Sequence, residues 1–495
     1  MTTRRTFLRT SAHAAAGAAI PARAWARVLG ANGDVRVAVI GLNGRGGNHV
    51  SSLQRIPGVR VVALCDPDSA VLARARTAIG GDLKTYTDIR QLLAAPDVDA
   101  VTIATPNHWH TLAAIWAMQA GKDVYVEKPV SHTVWEGRQL VAAAAKTGRV
   151  IQAGVQIRSG AGLREAVQYV RDGHLGPITA ARGFCYKRRE SIGLCGGPQP
   201  VPASIDYDLW SGPAPLVAPH RNTRNGTVHY DWHWIWLYGN GDVGNQGIHQ
   251  MDVARWFLGE PGLPRHTLSV GGRVGYVDDG QTPNEQVIVH DYATAPLIFE
   301  VRGLPSKSGV ATAGSDPRLV QGGGAGMDDY RGVGIGNVID CEGGSVIIPT
   351  YTTARVVDRA GKTIREFTGT DTHMENFIDV VRSRRRQDLY GPIDEGHISS
   401  ALCHLGNISH RVGAATPEGA LRESIASDAA LTEAHGRMLE HLRANAVDLG
   451  ATPLTLGAPL AIDGRAERFT GAGAEAANAL LRNEYRAPFV VPQLA

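Results

Sequence analysis

From residue 35 the apolar positions fall into short β-branched runs separated by longer stretches of helical period. The runs VRVAVI (35–40), VRVVALC (59–65), DAVTIAT (99–105), DVYV (123–126) and VIQAG (150–154) read as strands. Between several of them, Ser69–Ile79, His110–Ala120 and Val134–Lys146 repeat apolar residues at helical spacing. Strands without polar alternation need cover on both faces, so residues 34–155 are predicted to form a doubly wound parallel sheet, a Rossmann domain.

After residue 155 the texture changes to loops rich in Gly, Pro and Trp, with strand candidates QVIVHDYA (286–293) and SVIIPTY (345–351). Residues 156–413 are therefore expected to form an α+β domain on a mainly antiparallel open sheet. Met374–Val381 and His397–His410 read as helices packing back on the domains. Residues 303–337 hold ten glycines without a repeat period and read as a long loop, either functional or simply superficial. Residues 414–495 read as a helical extension, with a helix around 427–446, ending in RAPFVVPQLA, an arm for the body or a neighbouring subunit.

Composition adds limits. The chain has 495 residues, 43% apolar and 20% charged, with a formal charge of +3, which fits two to three globular domains and offers no nucleic-acid footprint. Residues 1–26 stand apart. Thr3-Arg4-Arg5-Thr6-Phe7-Leu8-Arg9 is a twin-arginine pattern, followed by SAHAAAGAAI and the A-x-A-like Ala24-Trp25-Ala26, so export to the periplasm is expected. The apolar run is too short to span a bilayer. The cysteines, Cys65, Cys185, Cys195, Cys341 and Cys403, form no CxxC pattern; Cys185 and Cys195 either pair or, as buried thiols, stay free.

Between the first strand and the first helix lies Gly41-Leu42-Asn43-Gly44-Arg45-Gly46, a G-x-G-x-x-G pattern with Asn43 in the second glycine slot. Asn tolerates unusual torsions best after glycine, and Gly44 restores freedom beside it. Backbone N–H groups there can hold a pyrophosphate. Asp66 follows Gly46 by 20 residues at the end of the second strand, where a carboxylate accepts hydrogen bonds from the adenosine ribose and repels a 2′-phosphate, favouring NAD over NADP. Its competing reading is a helix N-cap ahead of Pro67.

Two further loops leave the sheet at the same carboxyl edge: Thr105-Pro106-Asn107-His108-Trp109-His110 and Glu127-Lys128-Pro129. With GLNGRG at 41–46, TPNHWH at 105–110, EKP at 127–129 and Asn245-Gln246-Gly247-Ile248-His249, the chain resembles the glucose-fructose oxidoreductase, inositol dehydrogenase and rhizopine-catabolism (Gfo/Idh/MocA) oxidoreductases from residue 35 to about 410. The resemblance implies that Gly41, Asn43, Gly44, Arg45, Gly46, Asp66, Thr105, Pro106, Asn107, His110, Glu127 and Lys128 serve the cofactor. It also implies that Lys128 contacts both nicotinamide and a substrate hydroxyl, and that His249 is general base and acid in hydride transfer. The residue types suit oxidation of a carbinol, which needs a proton acceptor and a cation beside the developing alkoxide. Asn245 departs from the family's usual Asp and cannot raise the basicity of His249. Asp252, one helical turn beyond His249, either orients the ring or pairs within its helix.

His229-Tyr-Asp-Trp232-His233-Trp234-Ile-Trp236 concentrates ring faces that stack on sugars, although core packing explains many of these tryptophans. Trp232, His233 and Asn245 are taken as substrate contacts, joined by Gln156 and Arg158, which topology sends to the same cleft. Glu395-Gly396-His397 reads as a helix start. A zinc site from His229, His233 and His249 fits by spacing but not beside a dinucleotide site, so no metal is expected. The reading is an exported, homo-oligomeric (dimeric or tetrameric) NAD-dependent oxidoreductase of sugars or glycosides with internally recycled NAD. The alternatives are an NAD-dependent glycoside hydrolase or lyase working through a transient keto-sugar, and a binding protein that has lost catalysis.

Overall fold

A computed structural model describes residues 34–221, 228–305 and 326–495. The expected export segment, residues 1–26, and residues 306–325 of the glycine-rich stretch lie outside the described residues.

The first domain runs β1 (Val35–Ile40), α1 (Arg45–Leu53), β2 (Val59–Cys65), α2 (Ser69–Ile79), β3 (Lys84–Tyr86), α3 (Ile89–Leu93), β4 (Ala100–Ile103), α4 (Asn107–Gln119), β5 (Asp123–Val126), α5 (Val134–Thr147) and β6 (Ile151–Ala153). All strand pairs are parallel, in the order β3-β2-β1-β4-β5-β6. The chain reverses direction across the sheet between β1 and β4, the crevice where doubly wound folds take ligands. Alternate residues of β1 serve opposite faces: Val35, Val37 and Val39 join one apolar cluster, Ala38 and Ile40 the other. That double cover is why the strands carry no polar alternation. Helix α4 begins at Asn107, three residues before the periodic pattern, because Pro106 fixes the chain's entry and Asn107 takes the first helical position.

The second domain begins with α6 (Ala161–Arg171), β7 (Ile178–Tyr186), α7 (Tyr207–Ser211) and α8 (Ile248–Leu258). It continues with β8 (His266–Gly272), β9 (Glu285–Asp291), β10 (Leu297–Arg302), β11 (Ile335–Cys341), β12 (Gly344–Ile348), β13 (Thr353–Asp358) and β14 (Thr363–Thr368). Helices α9 (His373–Ser383) and α10 (Ile393–Arg411) follow. The sheet is antiparallel except for β7 beside β10. Helices α6, α8 and α10 cover one face. Close packing of α8 is set by glycine: a Cβ on Gly247 would meet the Phe299 ring at 2.3 Å, and one on Gly183 of β7 would meet Gln250 at 2.8 Å.

The segment 414–495 is knitted into both domains. Strand β15 (Ala414–Ala415), helices α11 (Glu418–Ile425) and α12 (Ala429–Ala444), and strands β16 (Thr455–Leu456), β17 (Leu460–Asp463) and β18 (Arg468–Thr470) lead to α13 (Ala474–Ala479). Helices α11 and α12 cover the sheet's far face, and β16 and β17 extend it beside β8. Helix α9 returns to the Rossmann sheet, where Phe377, Ile378 and Val381 are buried with Val37 and Val39. The terminal arm lies on its own body: Phe489 and Val491 complete the other Rossmann apolar cluster, with the Phe489 ring 5.6 Å from that of Trp109. No described helix is long and apolar enough to cross a membrane.

Candidate active site

A cavity of about 630 Å³ opens at the carboxyl edge of the Rossmann sheet. One wall is the loop after β1. Gly41 has φ +81°, and a Cβ there would sit 2.7 Å from the Ala104 backbone; a Cβ on Gly46 would sit 1.7 Å from the Gly41 oxygen. Both positions therefore require glycine. Gly44, at φ +113°, takes up the unusual torsion, while Asn43 stays out of the left-handed region, contrary to the expectation for that slot. Helix α1 starts without a side-chain cap or an acidic first turn, so its N-terminal dipole remains available to a phosphate.

Asp66 lines the cavity and braces this loop. Its carboxylate accepts from Leu42 N–H at 2.8 Å and Asp68 N–H at 3.0 Å, and burial pushes its pKa up. The N-cap of α2 is Asp68, which accepts from Ala70 and Val71 N–H, so Asp66 is not the cap.

The loops after β4 and β5 are tied together by one ring. His110 Nδ1 lies 2.6 Å from the Pro129 carbonyl and Nε2 2.8 Å from the Thr105 carbonyl. Thr105, Pro106, Asn107 and His110 all line the cavity. Glu127 and Lys128, just past the end of β5, face different neighbours. Glu127 Oε1 accepts from Arg45 Nε at 2.7 Å and Gln156 Nε2 at 3.1 Å, and meets His49 Nε2 at 3.0 Å; Oε2 accepts from Lys128 N–H. Although burial opposes it, the charge of Arg45 and the His49 contact hold the Glu127 carboxyl well below the usual range, while burial lowers His49. The pair is thus carboxylate and neutral imidazole. The Lys128 amine donates to the Asn245 carbonyl across the domain boundary, and burial lowers its pKa.

Asn245 lies on a wide π-helical turn, Val243–Gly247, that runs into α8. His249, four residues on, is buried, with Nδ1 unpartnered and its ring 5.2 Å from that of Tyr351. Burial and then the Lys128 charge push it down to about 3, so the ring is neutral. Asp252 does not orient it: the carboxylate binds Arg158 at 2.8 Å and accepts from Ser399 Oγ at 2.6 Å.

Lys128, Asn245, Trp232 and His233 line the cavity; His249, Gln156 and Arg158 do not. Gln156 is spent on Glu127 and the Tyr125 hydroxyl. Arg158, expected at the substrate, is instead locked behind it between Asp252 and Glu395, the latter in the first turn of α10. Trp232 and His233 stack with ring centres 3.6 Å apart, whereas Trp234 is core. Two of the three histidines of the zinc alternative have separate partners: His229 meets Asp68 at 2.9 Å and His233 the Tyr230 carbonyl at 2.5 Å. Sequence reasoning missed His49 and Tyr351. His49 was readable, since it stands one turn beyond Arg45 on α1 and shares its face. Tyr351, from the β12–β13 turn, carries no local signal.

Residues 35–155 match the family model for the Gfo/Idh/MocA oxidoreductases' NAD-binding Rossmann fold, and 173–273 match that for their C-terminal α/β domain. Over these two segments the chain is similar to the Gfo/Idh/MocA oxidoreductases. A 124-residue stretch is 44% identical to glycosyl hydrolase family 109 protein 2 of Shewanella sp. (strain ANA-3), covering 23% of the chain and 27% of that protein. Another of 171 residues is 35% identical to a glycosyl hydrolase family 109 protein of Saccharopolyspora erythraea, covering 30% and 37%. The chain thus spans between a quarter and two fifths of the length of these curated relatives. Among solved structures, the WlbA dehydrogenase from Bordetella pertussis in complex with NADH and UDP-GlcNAcA superposes with a TM-score of 0.53 at 18% identity, over 76% of this chain and 97% of that one. Levoglucosan dehydrogenase, in complex with NADH and levoglucosan, gives 0.54 at 17%, over 75% and 96%. These likenesses establish the two-domain fold and, with the domain model, an NAD-binding Rossmann half.

Proposed function

We propose that this chain is an exported NAD-dependent oxidoreductase that removes hydride from a carbinol of a sugar or glycoside. The observation that carries the reading is the Lys128 amine, fixed to the Asn245 carbonyl on the wall of a cavity whose other walls are the dinucleotide loop and the Trp232–His233 stack. Gly41, Gly44 and Gly46 admit the pyrophosphate, Asp66 faces the ribose, and Glu127 holds Arg45 and the Lys128 backbone in place. NAD, when bound, supplies the hydride acceptor. Lys128 donates to the carbinol oxygen as negative charge develops there, and in this reading the hydroxyl proton passes to His249, which is neutral, has an unpartnered Nδ1 and stands behind the cavity lining, one helical turn after Asn245. Trp232 and His233 offer ring faces to the sugar's C–H surface.

The twin-arginine pattern at residues 4–5 supports export of a folded, cofactor-loaded protein to the periplasm, and the chain assembles as a dimer or tetramer in this reading. NAD that cannot be replenished there is kept bound and regenerated within each cycle, by reducing a second sugar or re-reducing a keto intermediate. Denatured protein should release NAD in a one-to-one ratio, and Lys128→Met should retain the nucleotide while losing turnover on a glycoside panel scored for keto-sugars. Full turnover by Lys128→Met removes the catalytic assignment; absence of nucleotide removes the retention. The similarity to glycosyl hydrolase family 109 proteins supports the second reading, an NAD-dependent hydrolase or lyase. Release of the leaving group from an aryl glycoside, with no net NADH, selects it.

A further inference from the structure

Away from the cofactor cavity, three loops cross. The loop after β7 brings Cys195, the segment after α7 brings His220, and the β8–β9 loop brings Asp279. One ligand atom of each lies within 4.8 Å of the other two, and Cys195 Sγ stands 3.8 Å from His220 Nδ1. Zinc bonds of about 2.0–2.3 Å at tetrahedral angles place neighbouring ligand atoms roughly 3.3–3.8 Å apart. The sulfur–nitrogen separation lies at the upper end of that range and is long for a hydrogen bond from a weak donor, so a small inward shift brings both atoms onto one ion.

We propose that Cys195, His220 and Asp279 bind one Zn²⁺ ion. A thiolate, an imidazole and a carboxylate form a borderline-soft set that disfavours Mg²⁺ and Ca²⁺, and three protein ligands leave a fourth position for water. Cys195 is half-buried and His220 exposed, so the ion can enter from solvent. On binding, the Cys195 thiol releases its proton to solvent and gives up its 3.2 Å hydrogen bond to the Gly197 carbonyl. The Asp279 carboxylate is already steered into place, because its Oδ2 accepts from Cys195 N–H at 2.7 Å.

The ion acts as a clip. Among the described residues these loops share no β ladder; they touch through individual bonds, among them Ile192 N–H to Asp278 Oδ2 at 2.8 Å, Asp279 N–H to the Gly193 carbonyl at 3.1 Å and Gln199 N–H to the Pro219 carbonyl at 2.7 Å. The same β8–β9 loop continues to Gln281 and Thr282, whose N–H groups both donate to the Trp234 carbonyl, so it adjoins the aromatic segment that walls the cavity.

The test uses untagged, full-length protein stripped with chelator, incubated with micromolar Zn²⁺, desalted and analysed for metal. Wild type is expected to retain one zinc per chain and to gain melting temperature. Cys195→Ser and His220→Ala should each lose at least tenfold in retained zinc while keeping the wild-type far-UV spectrum and NAD content, and Asp279→Asn should weaken retention. Co²⁺-loaded wild type should show a thiolate-to-metal absorption band that is missing in Cys195→Ser. Wild type that keeps no zinc, or Cys195→Ser and His220→Ala that keep as much as wild type, overturns the proposal.

Discussion

Around His249, Asn245 decides what the ring can do. A carboxylate there would oppose the Lys128 charge that, after burial, holds the imidazole down to about 3, and Asp252 cannot substitute because Arg158 and Ser399 occupy it. The ring is therefore neutral throughout the ordinary histidine range, and kcat/KM should pass through that range without an inflection from His249. Asn245→Asp should raise the ring's pKa and bring an acid limb toward neutral pH; an unchanged pH profile in that variant contradicts the assignment. Gly41→Ala should abolish NAD retention, since its Cβ meets the Ala104 backbone and its left-handed torsion costs about 1–2 kcal/mol. Nucleotide released from the denatured variant reads this directly. Lys128 was legible because sheet topology sends strand ends to one edge, Trp232 and His233 because of the aromatic composition of their segment, and Asn245 through the resemblance of its motif. Arg158 was not: it leaves β6 toward the same region, but its partners Asp252 and Glu395 lie 94 and 237 positions away in sequence.

At the scale of elements, α5 joins local and distant determinants. Thr133 caps it by accepting from Glu136 N–H, a bond that the T-x-x-E spacing announces. The Glu136 carboxylate also reaches beyond the cap. It accepts from His132 N–H at 2.8 Å and from the Tyr485 hydroxyl, in the terminal arm, at 3.0 Å. Burial pushes this carboxyl from 4.5 to about 7. An acid raised in the folded state contributes stability that is fully present below its unfolded pKa and lost as pH rises through about 7, on the order of 3 kcal/mol in total. Wild-type melting temperature should carry that decline between about pH 4.5 and 7, and Glu136→Gln should flatten it; equal slopes in the two proteins refute the coupling. The Rossmann elements were legible because period and length agreed along the chain. Helix α11 and the short strands β15 to β18 were not, since their burial depends on a sheet assembled from residues far earlier.

Across the whole molecule, the last segment of chain completes the first domain. Phe489 is 1% exposed, wedged against Trp109 and Trp116 of α4, with the Arg90 and Arg486 guanidiniums over its ring at 5.2 and 5.0 Å. Phe489→Ala should cost about 3–5 kcal/mol by cavity formation. Because Trp109 also lines the cavity, NAD retention should fall with the melting temperature; a stability loss with undiminished NAD content separates the arm from the site. The sequence marked this segment as an arm but left open whose body it wraps, since apolar residues in a tail name no partner. Its position sets an order of events during synthesis. The dinucleotide fold leaves the ribosome first, yet the slot beside Trp109 stays open until residue 491 has emerged, some 340 residues after β6 is complete. Packing around Trp109 is thereby deferred until this distant segment has been made, and a chain truncated between β6 and Phe489 exposes a greasy notch that quality-control proteases and chaperones can read.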